Sequence, residues 1–101
     1  MARESKVQAW CVQWARARGV LVTKLDTRAN AGVPDYVFWL PGGRPLVVEF
    51  KAEGGDFRPG QQEMLDSLIT AGYTAVVVVT EKEFLQAVEG VLRAKTSIGR
   101  L

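Results

Sequence analysis

The chain has 101 residues, 48% of them hydrophobic, and its 13 basic and 11 acidic side chains give a formal net charge of +2. This length predicts one domain over residues 1–101, and so small a charge permits a polyanionic partner without requiring one. The sequence contains no histidine, which excludes catalysis by an imidazole base and most zinc sites. Any metal ion must therefore be a hard cation held by carboxylates.

The compartment is predicted from what the sequence lacks. Cys11 is the single cysteine, so the chain has no disulfide framework, as is usual in a reducing cytoplasm. The first ten residues contain no apolar signal segment, and no stretch approaches the length of a membrane-spanning helix. We therefore expect a cytoplasmic protein that has no contact with a membrane.

The first half of the chain predicts a helix and three strands. Apolar residues at helical spacing predict a helix over residues 3–18, which Gly19 ends. A short strand over residues 20–25 and a polar loop follow. Two runs rich in β-branched and aromatic residues, 36–40 and 46–52, flank Pro41-Gly42-Gly43 and predict a hairpin. The inward residues of the first helix are expected to be Val7, Trp10, Cys11 and Trp14.

The second half predicts two helices separated by a strand. Pro59 is suited to the first position of a helix that ends near residue 71. The apolar run over residues 73–79 predicts a strand that is buried on both faces. Thr80 and Glu83 have the spacing of a capping box and predict a last helix, with Phe84, Leu85, Val88 and Leu92 facing inward. The order α-β-β-β-α-β-α predicts an α/β fold with a central four-stranded mixed sheet flanked by helices.

An acid and a base stand on one face of the strand over residues 46–52. Side chains alternate along a strand, so Glu49 and Lys51 point away from the face that carries Val48 and Phe50. Partly buried charges are costly unless they are paired or bound to a metal. One interpretation is an ion pair on a solvated face, and the other is part of a catalytic site.

Asp35 can join this pair only in one hairpin register. Opposed residues of an antiparallel hairpin project to the same face. A turn with an odd number of residues pairs Leu40 with Arg44 and places Asp35 opposite Glu49. An even turn places Tyr36 there instead. The catalytic interpretation therefore predicts a turn with an odd number of residues, such as 41–43, unless a bulge intervenes. A divalent cation would relieve the repulsion between the two carboxylates.

Two further polar residues lie where apolar ones are expected. Gln61 is at the head of the core stripe of the second predicted helix, formed by Met64, Leu65, Leu68 and Ile69, and so points toward the sheet. It either belongs to the site or bonds to backbone at the helix end. Glu4 precedes Val7 and Cys11 on the inward side of the first helix. It either reaches the site or lies just outside a helix that begins with a capping box of Ser5 and Gln8.

Taken together, these motifs resemble the PD-(D/E)xK nuclease superfamily and, within it, the minimal stand-alone VRR-NUC domains of phages. The motifs that carry the resemblance are Gly32-Val33-Pro34-Asp35, then Glu49-Phe50-Lys51, then Gln61 ahead of a helix that ends at Gly72. The resemblance runs from Glu4 to about Val91 and leaves residues 96–101 outside. It implies a restriction-endonuclease-like core and a Mg²⁺- or Mn²⁺-dependent deoxyribonuclease in a bacterium or a phage-infected host cell.

The resemblance also implies a role for each matched residue. Asp35, Glu49 and Glu4 would bind the metal ion, Lys51 would be the signature lysine, and Gln61 would complete the catalytic set. The carbonyl of Phe50 is a further expected ligand because it lies between motif residues. A lysine is ordinarily cationic, so Lys51 is expected to orient the attacking water and offset developing charge.

Contacts with DNA are expected from basic residues near the site edge, namely Lys24, Arg28, Arg44 and Arg58. No base-reading helix is predicted, which favours structure-selective cutting of branched DNA. Similarity to Holliday-junction resolvases implies a homodimer, whose symmetry suits a four-way junction. The alternative is a nucleic-acid-binding or assembly module that has lost catalysis. A phosphate-binding loop at Pro41-Gly42-Gly43-Arg44 is not expected, because a turn between strands offers no helix N-terminus.

Overall fold

The computed structural model describes residues 3–94, so the predicted tail over residues 96–101 lies outside the described residues. The element order is the predicted one. The elements are α1 (Arg3–Ala17), β1 (Leu21–Lys24), β2 (Tyr36–Leu40), β3 (Arg44–Phe50), α2 (Gln61–Thr70), β4 (Thr74–Val78) and α3 (Glu81–Arg93). In the described part of the chain, no helix is both long enough and apolar enough to cross a membrane.

The four strands form one mixed sheet in the order β1-β2-β3-β4. Strands β1, β2 and β3 are antiparallel neighbours, joined by a loop over residues 25–35 and by a tight turn over residues 41–43, whereas β4 runs parallel to β3. The parallel pair requires a crossover, which α2 provides. The predicted α/β fold with a four-stranded mixed sheet is confirmed.

The hairpin between β2 and β3 has the odd turn that the site requires. Leu40 pairs with Arg44 and Tyr36 pairs with Val48, so three residues form the turn. Gly42 and Gly43 have φ angles of 82° and 69°, a left-handed conformation that side chains disfavour. The pairing therefore places Asp35, one residue before β2, beside the end of β3 that carries Glu49.

One face of the sheet packs against both α1 and α3. Its aromatic and branched residues alternate along β2 and β3, and Phe38, Leu46 and Val48 are fully buried there. The ring of Phe84 from α3 lies 4.9 Å from that of Phe38, and a capping box of Thr80 and Glu83 fixes the start of α3. This packing confirms that Val48 and Phe50 point away from Glu49, into the core.

Several local predictions were wrong. Strand β4 is not buried on both faces, because it is an edge strand: Thr74 is exposed and Val77 is 37% exposed. Leu92 is 44% exposed and Val91 is buried in its place, since the inward stripe of α3 continues from Val88 at i+3.

The helix predictions erred at the ends and on the outer faces. Helix α2 begins at Gln61 and not at Pro59, because Gly60 takes a left-handed conformation before it. In α1, Trp10 is 39% exposed, and in α2, Ile69 is 54% exposed. The alternative that Glu4 lies just outside a helix capped by Ser5 and Gln8 is wrong, since α1 already includes Arg3.

Cys11 provides a measure of whether this fold is intact. Its side chain is fully buried in the core, and burial, with a smaller contribution from the charge of Glu81, raises the pKa of the thiol to about 12. We expect the native thiol to resist a thiolate-specific reagent at pH 8 and to react fully in denaturant. The absorbance released by an aromatic disulfide reagent measures how much thiol reacts in the native and in the denatured protein. Rapid labelling of the native protein would contradict the burial of Cys11.

Candidate active site

Glu49 is a carboxylate buried in a strand whose neighbours are apolar. It is 1% exposed and lies near the end of β3, on the face opposite the α1–α3 core. Within residues 3–94, neither of its carboxylate oxygens has a hydrogen-bond partner. Because burying a carboxylate is costly even beside a cation, so unfavourable a placement indicates a functional site rather than a solvated ion pair.

Two cationic side chains lie close to the carboxylate of Glu49 and offset only part of its charge. The Nζ atom of Lys51 lies 3.2 Å from Oε2 of Glu49, and its side chain is 12% exposed. A guanidinium nitrogen of Arg58 lies 3.6 Å from the same oxygen. Both of these distances are to Oε2. The contact with Lys51 confirms that the acid and the base share one face of the strand.

Asp35 is fixed against the end of β3 through its backbone and its side chain. Its amide donates to the carbonyl of Val48 at 3.1 Å, and its Oδ2 accepts a hydrogen bond from the amide of Phe50 at 2.8 Å. The side chain thus continues the hairpin where regular pairing stops. The two bonds place the Asp35 carboxylate on the Glu49 side, where its charge acts on Glu49.

Gln61 lies at the start of α2 and points inward, as predicted. It is 1% exposed, and its Oε1 accepts a hydrogen bond of 2.7 Å from the amide of Arg58. This bond fixes which end of the amide group faces the site. Its Nε2 is buried without a hydrogen-bond partner in the described part of the chain and lies beside the carboxylate of Glu49. The side chain of Gln61 therefore combines the two predicted alternatives. Its Oε1 bonds to the backbone at the helix end, and its Nε2 points toward the site.

Burial raises the pKa of Glu49 above its ordinary value, and this is the largest effect on it. The amide of Gln61 acts in the opposite direction, the charge of Asp35 raises the pKa further, and Lys51 lowers it. The cations and the amide thus offset only part of the cost of burial. An additional cation at Glu49 would supply what these neighbours do not.

The structure does not gather all four expected metal ligands. Glu4 lies in the first turn of α1, half-buried. Gln8, one turn further along, donates to the hydroxyl of Tyr36 at 3.1 Å, so this face of α1 approaches β2 beside Asp35. However, no group of three acidic, cysteine or histidine side chains that could hold a metal occurs within residues 3–94. Asp35 and Glu49 come together without Glu4, and the contribution of the Phe50 carbonyl stays a prediction.

The four basic residues predicted to contact DNA occupy different surroundings. Lys24 is exposed at the end of β1, opposite Tyr36, and Arg28 lies in the following loop, where it pairs with Asp26. Both are near the site, because the amide of Leu25 bonds to the carbonyl of Asp35 at 2.9 Å.

Arg44 and Arg58 are not free surface cations. Arg44 begins β3, roughly 16 Å from Glu49 at the rise of a strand. Its Nη1 donates to the carbonyls of Val91 and Leu92, so it caps the end of α3. The structure thus places Arg44 away from the site, and Arg58 points into it.

One aromatic residue at the site escaped the sequence analysis. Phe57 is 41% exposed, and its ring centroid lies 5.8 Å from the Nζ atom of Lys51. Its signal was a lone aromatic side chain in the polar, glycine-containing loop over residues 53–60. Hydrophobic periodicity does not register a single residue of this kind.

The donor set fits a divalent metal ion. Asp35 and Glu49 are the hard oxygen ligands that Mg²⁺ and Mn²⁺ prefer. The buried oxygens of Glu49 accept no well-formed hydrogen bond within residues 3–94, and Lys51 and Arg58 offset its charge only in part, so a cation there would complete their coordination. The nearby ammonium group and the Nε2 of Gln61 are suited to contacts with a phosphate or a water molecule.

Comparison with known proteins agrees with this arrangement. Residues 2–81 match the model of the VRR-NUC domain family. The chain belongs to the VRR-NUC family. It is 30% identical over 78 residues to the protein named "Putative nuclease p44" of Acyrthosiphon pisum secondary endosymbiont phage 1, a match that covers 77% of this chain and 84% of the phage protein.

A solved structure described as a "VRR_NUC domain" extends the comparison to the fold. It superposes with a TM-score of 0.76 at 29% identity, over 88% of this chain and 97% of that one. The family resemblance inferred from the sequence motifs is thereby confirmed. Membership of this VRR-NUC family, together with the match to the phage protein, supports nuclease activity.

The raised pKa of Glu49 predicts how the stability of the metal-free protein depends on pH. The folded state retains the proton of Glu49 to a higher pH than the unfolded state does, so stability falls as pH rises through the raised pKa. Glu49→Gln removes this loss. We expect its melting temperature in EDTA to equal that of the wild type at pH 4 and to exceed it by several degrees at pH 7.5. Thermal unfolding followed by circular dichroism gives the melting temperature at each pH.

The matched control is Glu53→Gln, which removes an exposed glutamate from the neighbouring loop. We expect its melting temperature to change between pH 4 and pH 7.5 by the same amount as that of the wild type. Equal melting temperatures for Glu49→Gln and the wild type at pH 7.5 would show that burial of Glu49 carries no cost.

Proposed function

We propose that this protein is a Mg²⁺- or Mn²⁺-dependent DNA endonuclease that cuts branched DNA, such as a four-way junction. One observation carries the proposal: Glu49 is a fully buried carboxylate whose neighbours, a second carboxylate, a lysine and an arginine, leave its pKa raised. A protein that only bound DNA would gain nothing from burying a negative charge at its phosphate-binding surface.

Asp35 and Glu49 would hold the metal ion, with the Phe50 carbonyl and Glu4 as further ligands. The bound ion would acidify a water molecule and neutralise charge on the phosphate oxygens. Asp35 is already fixed by its bond to the amide of Phe50, so one ligand is held in place beforehand. Glu4 would have to approach from α1, which makes it the ligand whose contribution most needs measurement.

Lys51 has two uses in this site. In the structure its ammonium group offsets the charge of Glu49 across 3.2 Å. Once a cation takes over that task, the ammonium group can orient water toward phosphorus and offset charge on the phosphate. Hydrolysis joins the water oxygen to phosphorus, breaks one phosphorus–oxygen ester bond and leaves a proton on the departing hydroxyl. Gln61 would hold Glu49, or the water, through its unpaired Nε2.

Contacts outside the metal site would select the DNA. Lys24 and Arg28 flank the segment that leads to Asp35, where they can meet phosphates on either side of the cut. The exposed ring of Phe57 beside Lys51 offers a surface on which an unpaired base can stack. A homodimer would present two such sites to a two-fold branched substrate. The match to a phage protein supports action in the cytoplasm of an infected cell.

The test is cleavage of labelled four-way junction, flap, duplex and single-stranded DNA with Mg²⁺ or Mn²⁺, resolved on gels. We expect cutting of branched DNA, abolished by EDTA. Glu49→Ala and Lys51→Ala should each lower the rate by at least about 100-fold, because each removes a charge that acts on the transition state.

The matched control is Lys82→Ala, which removes an exposed lysine of α3 from the helix that packs on the opposite face of the sheet. It should cut at the wild-type rate. If no substrate is cut with either metal while junction DNA is still bound, the alternative of a catalytically silent binding module replaces the proposal.

A further inference from the structure

The side chain of Arg58 contacts three separate parts of the candidate site. Its Nε donates to the carbonyl of Ala31 at 3.0 Å, and its Nη2 donates to the carbonyl of Val33 at 3.2 Å. Its Nη1 lies 3.6 Å from Glu49. Each of the three guanidinium nitrogens therefore faces a protein oxygen.

The backbone of the same residue determines where Gln61 lies. The amide of Arg58 donates to Oε1 of Gln61, and the carbonyl of Arg58 accepts from the amide of Gln61 at 3.0 Å. The first bond directs Nε2 of Gln61 toward Glu49. Arg58 thus contacts the segment that leads into Asp35, the carboxylate of Glu49 and the amide of Gln61.

Glycines bring these two segments into direct backbone contact. A Cβ atom at Gly32 would lie 3.0 Å from the carbonyl oxygen of Gly60. Gly60 itself has a φ of 81°, and the amide of Gly32 is bonded to the side chain of Asn30 at 2.9 Å. A side chain at Gly32 would push the two segments apart by a few tenths of an ångström, and Arg58 bridges them from the side.

We infer that Arg58 is a positioning residue that holds Asp35 and Gln61 around Glu49, and not a residue that binds DNA phosphates. The inference rests on the proposed metal-dependent nuclease function. The planar guanidinium fork can bond two carbonyls at once while its third nitrogen faces a carboxylate. Three of the five N–H donors of Arg58 already face these oxygens, so a phosphate could use only the two that remain unless these contacts were broken.

Three possible roles of Arg58 predict different results. If Arg58 positions the metal ligands, its loss weakens metal binding, because the ligands are no longer held in place. If it acts only as a counter-charge for Glu49, its loss removes a competing cation and tightens metal binding. If it binds phosphate, its loss weakens DNA binding and lowers the salt dependence of that binding by about one charge.

The experiment compares the wild type with Arg58→Ala, Arg58→Lys and Gly32→Ala. Arg58→Lys keeps the charge but cannot bond both carbonyls, and Gly32→Ala keeps every charge but separates the two segments. Mn²⁺ binding is measured by electron paramagnetic resonance without DNA. Junction binding is measured in EDTA at several salt concentrations, and cleavage at several Mn²⁺ concentrations. Arg93→Ala, which removes an exposed arginine at the far end of α3, is the matched control.

We expect all three variants to bind Mn²⁺ about 10-fold more weakly, which is the effect of removing groups that orient metal ligands. The Mn²⁺ concentration for half-maximal cleavage should rise by the same factor, with the affinity for junction DNA and its salt dependence unchanged. A mere loss of folded protein would lower the maximal rate without shifting that concentration. Protection of Cys11 from labelling shows whether each variant is folded.

Two results would overturn the inference. In the first, Arg58→Ala binds Mn²⁺ as tightly as the wild type or more tightly. In the second, Arg58→Lys restores Mn²⁺ binding while Arg58→Ala loses junction affinity and one charge of salt dependence. If the wild type itself binds no Mn²⁺ and cuts no DNA, the proposed function fails, and the inference fails with it.

Discussion

The burial of the Glu49 carboxylate is the constraint on which the rest of the site depends. Strand β3 can carry a charge at its end because the other face of the strand, with Leu46, Val48 and Phe50, provides a large apolar contact area with α1 and α3. Lys51, Arg58 and Gln61 surround the carboxylate, yet its pKa stays raised. The stability gained on one face of the sheet therefore offsets the cost of a site on the other.

One face of the sheet forms the hydrophobic core, and the other carries the candidate site. Helices α1 and α3 cover one face and supply most of the core, whereas α2 lies on the other and brings Gln61 to the site. This division explains why an acidic pair and a lysine can share a small domain with a continuous apolar core. It also places the loops before Asp35 and before Gln61 at one edge, where they meet at Gly32 and Gly60.

Much of this arrangement was predictable from the sequence, because two periodicities determine it. Alternation along β3 assigned Glu49 and Lys51 to one face, and the parity of the turn at residues 41–43 placed Asp35 beside them. Helical spacing directed Gln61 toward the sheet. The inward position of Arg58 was not predictable, because it depends on two loops that have no periodicity and meet only in the folded chain. The exposure of β4 was also missed, because an apolar run does not show that its strand lies at an edge of the sheet.

The pairing of β2 with β3 decides which side chains face each other at the site, although the three-residue turn lies at the far end of the hairpin from Glu49. A slip of one residue in this pairing would turn Asp35 toward the core and Phe38 away from it. The buried apolar residues of β2 and β3 oppose such a slip, and a residue added within the turn can be taken up by a longer loop that leaves the pairs unchanged. The apolar contacts of the core therefore also hold the register that brings Asp35 beside Glu49, so residues with no contact to substrate are still held under selection for catalysis.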